Sequence, residues 1–198
     1  MATKKLATEI RREQIVRAAL GLVARHGLKK LNIASVAREV GLVPSALYRH
    51  FHSKDEIIDA VLGLLRSQMM GNVEKVRNDT SDPEQQLERL LTLHAGLIRD
   101  NQAIPRILFS DEVFSGPSPR RQQMFAVLKG YTGAVADIIH EGQNAGSFRK
   151  DLDPTTLSLM FVGIVVPAAI LWHAGGEPDI PSHVKKGWQI FRQFLVLS

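Results

Sequence analysis

Apolar residues recur along this chain at intervals of three and four, and no strand-like alternation of useful length appears. Over Thr8–His26, the positions Ile15, Ala19, Leu22, Val23 and His26 share one face and Gly27 follows as a left-handed stop, which predicts an amphipathic helix. Two shorter helices are expected within Leu31–Phe51. Ser53-Lys54-Asp55-Glu56 reads as a capping box opening a longer helix, apolar at Ile57, Ile58, Val61, Leu62 and Leu65 and polar from Ser67 to Asp79, where it leaves the core. Asp82-Pro83, Ser118-Pro119 and Asp153-Pro154 each set a capping side chain before a proline at the first helical position. The first of these helices runs through Leu87, Leu90, Leu91, His94, Leu97 and Ile98. The second runs through Met124, Phe125, Leu128, Tyr131, Val135 and Ile138 to Gly142 or Gly146, and the third stops at Gly175-Gly176. A short helical piece over Ile104–Phe114 and a last helix over Ser182–Leu197 complete an all-α pattern.

The run Leu159–Trp172 holds 14 residues without a polar side chain. A spanning helix needs about 20, and Pro167 interrupts this one, so it reads as a buried core or interface helix rather than a membrane span. Met1–Glu13 is basic and polar with no apolar stretch of a secretory signal. The absence of cysteine excludes a disulfide framework and thiolate metal sites, and fits a cytoplasmic protein.

Charge changes the picture once the chain is divided. The whole carries +5, but residues 1–54 hold 11 Lys/Arg against 3 Asp/Glu, a net of +8, and the remainder holds 14 against 17, a net of −3. A basic head on a mildly acidic body is the electrostatic footprint of a polyanion-binding module. The expected division is therefore a helix-turn-helix DNA-binding domain over residues 1–54 and a larger helical domain over residues 55–198 for effector binding and dimerisation.

The chemistry lies in Asn32–Phe51. Asn32 is placed to cap a helix whose inward face is Ile33, Val36, Ala37 and Val40. Gly41, four residues after Ala37, supplies the left-handed turn where two helices cross closely. Pro44 starts a second helix anchored by Leu47 and Phe51, leaving Ser45, Ala46, Tyr48, Arg49 and His50 on its outer surface to enter a major groove. Ser35 and Arg38 lie outward on the preceding helix, within reach of the DNA backbone. Arg49 is the candidate for a bidentate contact to guanine, with a phosphate contact as the alternative. Lys4, Lys5, Arg11 and Arg12 form either a minor-groove arm or a loose basic tail.

Residues from about 10 to 60 resemble the N-terminal domain of the TetR family of transcriptional regulators, above all in Leu47-Tyr48-Arg49-His50-Phe51 followed by Ser53-Lys54-Asp55-Glu56. The resemblance implies an α-helical homodimer whose third helix reads DNA, with Tyr48, His50 and Lys54 holding phosphates. It also implies repression relieved by a ligand. Asn32 stands where the family usually has Thr or Ser, and Val43 where it often has Ser or Thr. Val43 can neither cap nor touch a phosphate, so an anion there would rest on free backbone N–H groups and the helix dipole.

In the body, Asp153–Gly175 and Ser182–Leu197 form the most apolar helix pair and are expected to join two copies, with Trp188, Phe191 and Phe194 each either an interface anchor or part of the intramolecular core. Such a dimer would bind a near-palindromic double-stranded operator. Phe109, Phe125, Tyr131, Phe161 and Trp172, with His94 and His140 as polar groups, are candidates to line a cavity enclosed by helices 83–100, 119–145 and 154–174. That lining favours a small hydrophobic effector. The helix from Ser53 onward is the expected lever between head and body. His94, His140 and His173 have no partner at helical metal spacing, no cofactor motif appears, and no nucleophile with a base proposes an enzyme.

Overall fold

The computed structural model describes residues 2–101, 103–108, 110–114, 118–175 and 179–196. Phe109, Gly176 and Leu197 lie outside these, as do the side chains of Lys4, Lys5, Glu112, Ser118 and His173. The elements are α1 (Ala2–His26), a 3₁₀ turn (Leu28–Lys30), α2 (Ile33–Glu39), α3 (Pro44–Leu47), α4 (Lys54–Asp79) and α5 (Pro83–Asp100). They continue with α6 (Ala103–Leu108), α7 (Asp111–Phe114), α8 (Ser118–Asn144), α9 (Pro154–Gly175) and α10 (Ile180–Leu195). Among the described residues no strand forms; one isolated bridge pairs Phe148 with Val196.

The caps explain the boundaries. Asp82 accepts from the Glu84 amide at 3.0 Å, and Asp153 accepts from the Thr156 amide at 2.7 Å, each just ahead of its proline. Ser53 Oγ accepts from the Glu56 amide at 3.1 Å, while the Glu56 carboxylate reaches back to the His52 amide at 2.9 Å, one residue before the expected reciprocal bond. Asp179 accepts from the Ser182 amide at 3.0 Å and starts α10 two residues ahead of the expected Ser182. The chain before Thr8 continues α1 and is no loose tail. The expected helix over 104–114 is two pieces, α6 and α7, parted around Ser110, whose amide and hydroxyl both donate to the Ile107 carbonyl.

The contacts divide the chain into two units, and the division is not a single cut. The first unit comprises the residues through Ser67 together with Asn101–Phe125. Its core holds Ile15, Ala19 and Val23 of α1, Val36 and Ala37 of α2, Leu47 and Phe51, Ile57 to Leu65 on α4, and Ile104 and Ile107 of α6. Two arginines bind the distant segment in. Arg106 donates to the Ala24 carbonyl in the last turn of α1 at 3.0 Å. Arg120, 4% exposed, reaches Asp59 at 2.8 Å and Asp55 at 3.0 Å on the first turns of α4.

The second unit comprises Gln68–Asp100 and Ala126–Ser198. Here α5, α9 and α10 pack on one another through Leu87, Leu90 and Ile98 of α5, Leu157, Phe161 and Val165 of α9, and Val184, Trp188, Phe191 and Leu195 of α10. Phe161 and Phe191 meet edge to face with centroids 5.9 Å apart. Of the two readings open for Trp188 and Phe191, the intramolecular core holds and the interface anchor does not: they are 5% and 4% exposed, and the inner stripe of α10 at three- and four-residue spacing takes them into the protomer. Phe194 lies off that stripe and stays 53% exposed.

Pro154–Trp172 has the length and composition to cross a membrane, with mean hydropathy 2.0 and a third of it buried. Its buried side packs on α5 and α10. Leu159, Met160, Ile170 and Leu171 on its other side are exposed and, with Ile190 and Phe194 of α10, leave large apolar side chains uncovered.

Candidate nucleic-acid interface and helical body

The turn between α2 and α3 is built as its residue types require. Asn32 Oδ1 accepts from the Ser35 amide at 2.9 Å and Ser35 Oγ accepts from the Asn32 amide at 3.0 Å, a complete capping box. Gly41 has φ 67°, a left-handed conformation that a β-carbon would strain, and the Leu42 amide returns to the Ala37 carbonyl at 2.8 Å. Val43 precedes α3 with no side-chain cap and is 63% exposed, so the first amides of α3 rely on no side-chain oxygen of Val43. Beyond Leu47 the turn tightens: the Arg49 amide bonds to Ala46 at 3.3 Å and the His50 amide to Leu47 at 2.8 Å, carrying the helical path to buried Phe51.

This scaffold sorts the expected DNA-contacting residues. Asn32, Arg38, Pro44, Ser45, Tyr48 and Arg49 are exposed on the first unit, and Ser35, Ala46, His50 and Lys54 are half-buried. Asn32 and Ser35 serve the capping box, and the Ser35 hydroxyl also donates toward the Lys30 carbonyl at 2.9 Å. Burial first, then Arg12, Arg11 and Arg49, hold the His50 imidazole below its ordinary pKa.

Arg12 does something the sequence did not disclose. From α1 its guanidinium lies over the Phe51 ring at 4.1 Å from the centroid and donates to the His50 carbonyl. It thus holds the C-terminal end of the recognition turn, where carbonyls otherwise lack partners. No local pattern signals this contact, because 38 positions separate Arg12 from His50.

In the second unit, His94 of α5 and Tyr131 of α8 pack ring edge against ring face with centroids 5.1 Å apart. They are 4% and 2% exposed, and neither His94 Nδ1 nor the Tyr131 hydroxyl has a hydrogen-bond partner among the described residues. Burial lowers the His94 pKa to about 4 and raises that of Tyr131, so both are neutral at cellular pH. Phe161 is buried and Trp172 half-buried. Phe125 and His140 correct the expectation of inward-facing lining: both are exposed. The inner stripe of α8 is Met124, Val127, Tyr131, Val135 and Ile138, and at about 100° per residue positions 125 and 140 fall on the far side. A groove of about 360 Å³ opens between α5 and α10, floored by Leu91, Ala95, Val184 and Trp188.

Two family models match the chain. Residues 15–61 match "Bacterial regulatory proteins, tetR family", and residues 80–193 match "Tetracyclin repressor-like, C-terminal domain". The HTH-type transcriptional repressor KstR2 of Mycolicibacterium smegmatis is 25% identical over 169 residues, covering 85% of this chain and 82% of the relative. The structure of the ketosteroid transcriptional regulator KstR2 of Mycobacterium tuberculosis shares the fold with a TM-score of 0.75 at 20% identity, covering 95% of this chain and 96% of that one. The structure of FadR from Bacillus subtilis in complex with stearoyl-CoA does so with a TM-score of 0.76 at 19% identity, covering 92% and 98%. With a basic helix-turn-helix at its N-terminus and both halves matched, the chain belongs to the TetR family of DNA-binding transcriptional regulators, which act as dimers, and is not an enzyme.

Proposed function

We propose that this chain is a cytoplasmic repressor that holds a near-palindromic operator and releases it when an apolar ligand of the acyl or steroid kind enters its helical body. The observation that carries the ligand half is the buried His94–Tyr131 pair of α5 and α8, whose Nδ1 and hydroxyl have no partner among the described residues. The stearoyl-CoA bound to FadR, a protein of the same fold, supports the acyl class. Residues 1–54 read the operator and residues 55–198 bind effector and partner. Arg49 contacts guanine, Tyr48, His50 and Lys54 hold phosphates, and Arg38 and the α3 N-terminus at Pro44, Ser45 and Ala46 set the approach. The dimer forms through the exposed apolar side chains of α9 and α10.

The ligand must favour the DNA-incompetent state, since equal affinity for both states shifts nothing. The test pairs thermal shift with operator release, using stearoyl-CoA and a ketosteroid as probes. A probe that raises the melting temperature and lowers operator affinity supports the reading. Probes that bind tightly yet leave operator affinity unchanged would show a site that is not the switch.

A further inference from the structure

Burying a polar atom without a partner is unfavourable, and native interiors rarely tolerate it without a reason. His94 and Tyr131 do so twice within one ring contact: a phenol hydroxyl and an imidazole nitrogen, both nearly fully buried, with ring centroids 5.1 Å apart and neither satisfying the other. Of the other buried polar residues of this unit, Gln86 donates to the Thr80 carbonyl at 2.6 Å but leaves its Oε1 without a partner among the described residues, whereas two are satisfied. Gln143 donates to the carbonyls of Arg149 and Leu152, both at 2.8 Å, and Ser158 donates to Thr155 at 2.7 Å. The residues around the pair in sequence on α5 and α8 are Leu90, Leu91, Ile98, Val127 and Val135, all buried and apolar.

We propose that His94 and Tyr131 are the polar end of the effector site and select an uncharged carbonyl group, an ester, thioester or ketone on an apolar body, while rejecting a free carboxylate. The inference rests on the reading that the body binds an apolar ligand, and it adds which polar group that ligand must carry.

The chemistry follows from donor and acceptor counts. A tyrosine hydroxyl donates one hydrogen, and a neutral imidazole offers one N–H and one bare nitrogen. A carbonyl oxygen has two lone pairs and no hydrogen, so the phenol and the protonated Nδ1 tautomer both donate to it. A carboxylate would bring a full negative charge to a place where burial alone perturbs His94 and no charged side chain contributes. Its entry requires a proton, either on itself or on His94, and both routes become harder as pH rises.

The experiment uses the full-length dimer and three probes, stearoyl-CoA, stearate and coenzyme A alone, with affinities measured at pH 6, 7 and 8. Stearoyl-CoA is expected to bind with the same affinity across that range, because the pair stays neutral throughout. Stearate is expected to weaken about tenfold per pH unit as its protonated fraction falls, and coenzyme A alone is expected not to bind. Tyr131→Phe and His94→Leu should each weaken stearoyl-CoA about tenfold while leaving the neutral apolar dye N-phenyl-1-naphthylamine unaffected. The pH profile of the unmodified protein stands whether or not a variant folds. Stearate binding equally at pH 6 and pH 8, or folded variants that keep stearoyl-CoA affinity, would overturn this inference and leave the apolar-ligand reading intact. A crystal structure with a water bridging the pair and the probe bound elsewhere would do the same. No binding by any acyl probe would overturn both.

Discussion

Replacing Phe194 by Glu should turn the dimer into a monomer without unfolding the protomer. Phe194 lies on α10 with 53% of its surface exposed, off the stripe that packs inward. A phenylalanine buries about 200 Å² when fully covered, so roughly 100 Å² awaits a partner, equivalent to about 2.5 kcal/mol at ~25 cal/mol per Å². A two-fold interface contains each residue twice, so removing the ring from both copies forfeits about 5 kcal/mol, or three to four powers of ten in the dimer dissociation constant. Desolvating two carboxylates adds to the loss. Sedimentation equilibrium reads the dissociation constant, and far-ultraviolet circular dichroism checks that the protomer stays helical. Operator affinity should fall in step with dimer population, since each head alone holds one half-site. A Phe194→Glu protein whose dimer constant moves less than threefold would place the interface away from α9 and α10. Phe191 is the wrong residue for this test: at 4% exposure it reports the core of its own protomer.

Two further outcomes are expected. Gly187→Ala should destabilise, against the ~1 kcal/mol that alanine normally contributes over glycine in a helix. Its β-carbon would sit 2.5 Å from Ile164 Cγ2, and a β-branched side chain on a helix cannot swing aside, so overpacking of about 1–3 kcal/mol dominates. Gly96→Ala, with open space at the β-carbon, is the control that should stabilise, and urea unfolding decides both. Arg12→Met should weaken the specific operator about tenfold, from the loss of the Phe51 stacking and the bond to the His50 carbonyl, with the salt slope unchanged. A slope reduced by about one unit would make Arg12 a phosphate contact instead.

What could be read from the sequence was local. The Asn32 cap, the Gly41 turn, the Pro44 start and the Asp82 and Asp153 caps all depend on residues within four positions of each other, and each formed as expected. Periodicity also identified His94 and Tyr131 as inward-facing. It failed at Phe125 and His140, which at about 100° per residue turn away from the inner stripe of α8. It did not divide α10, because an aromatic that fills its own core and one that awaits a partner look alike in a single sequence. Nothing local could have shown Arg12 reaching His50 or Arg120 reaching Asp55 and Asp59. Those contacts exist only once the helices are brought together.

The segment Asn101–Phe125 belongs structurally to the first unit, fastened by Arg106 to the end of α1 and by Arg120 to the start of α4. A recognition module of this kind is therefore not a cassette that ends where its helix-turn-helix ends. Cutting the chain after α3, or grafting its first 54 residues onto another regulator's body, would part Arg106 from its carbonyl partner at Ala24, while Arg120 and both its carboxylates would stay together on the other side. On the proposed reading of the operator, specificity is then best exchanged at the outward residues of α3 and the turn after it, where Ser45 and Arg49 are exposed and take no part in fastening Asn101–Phe125 to the head.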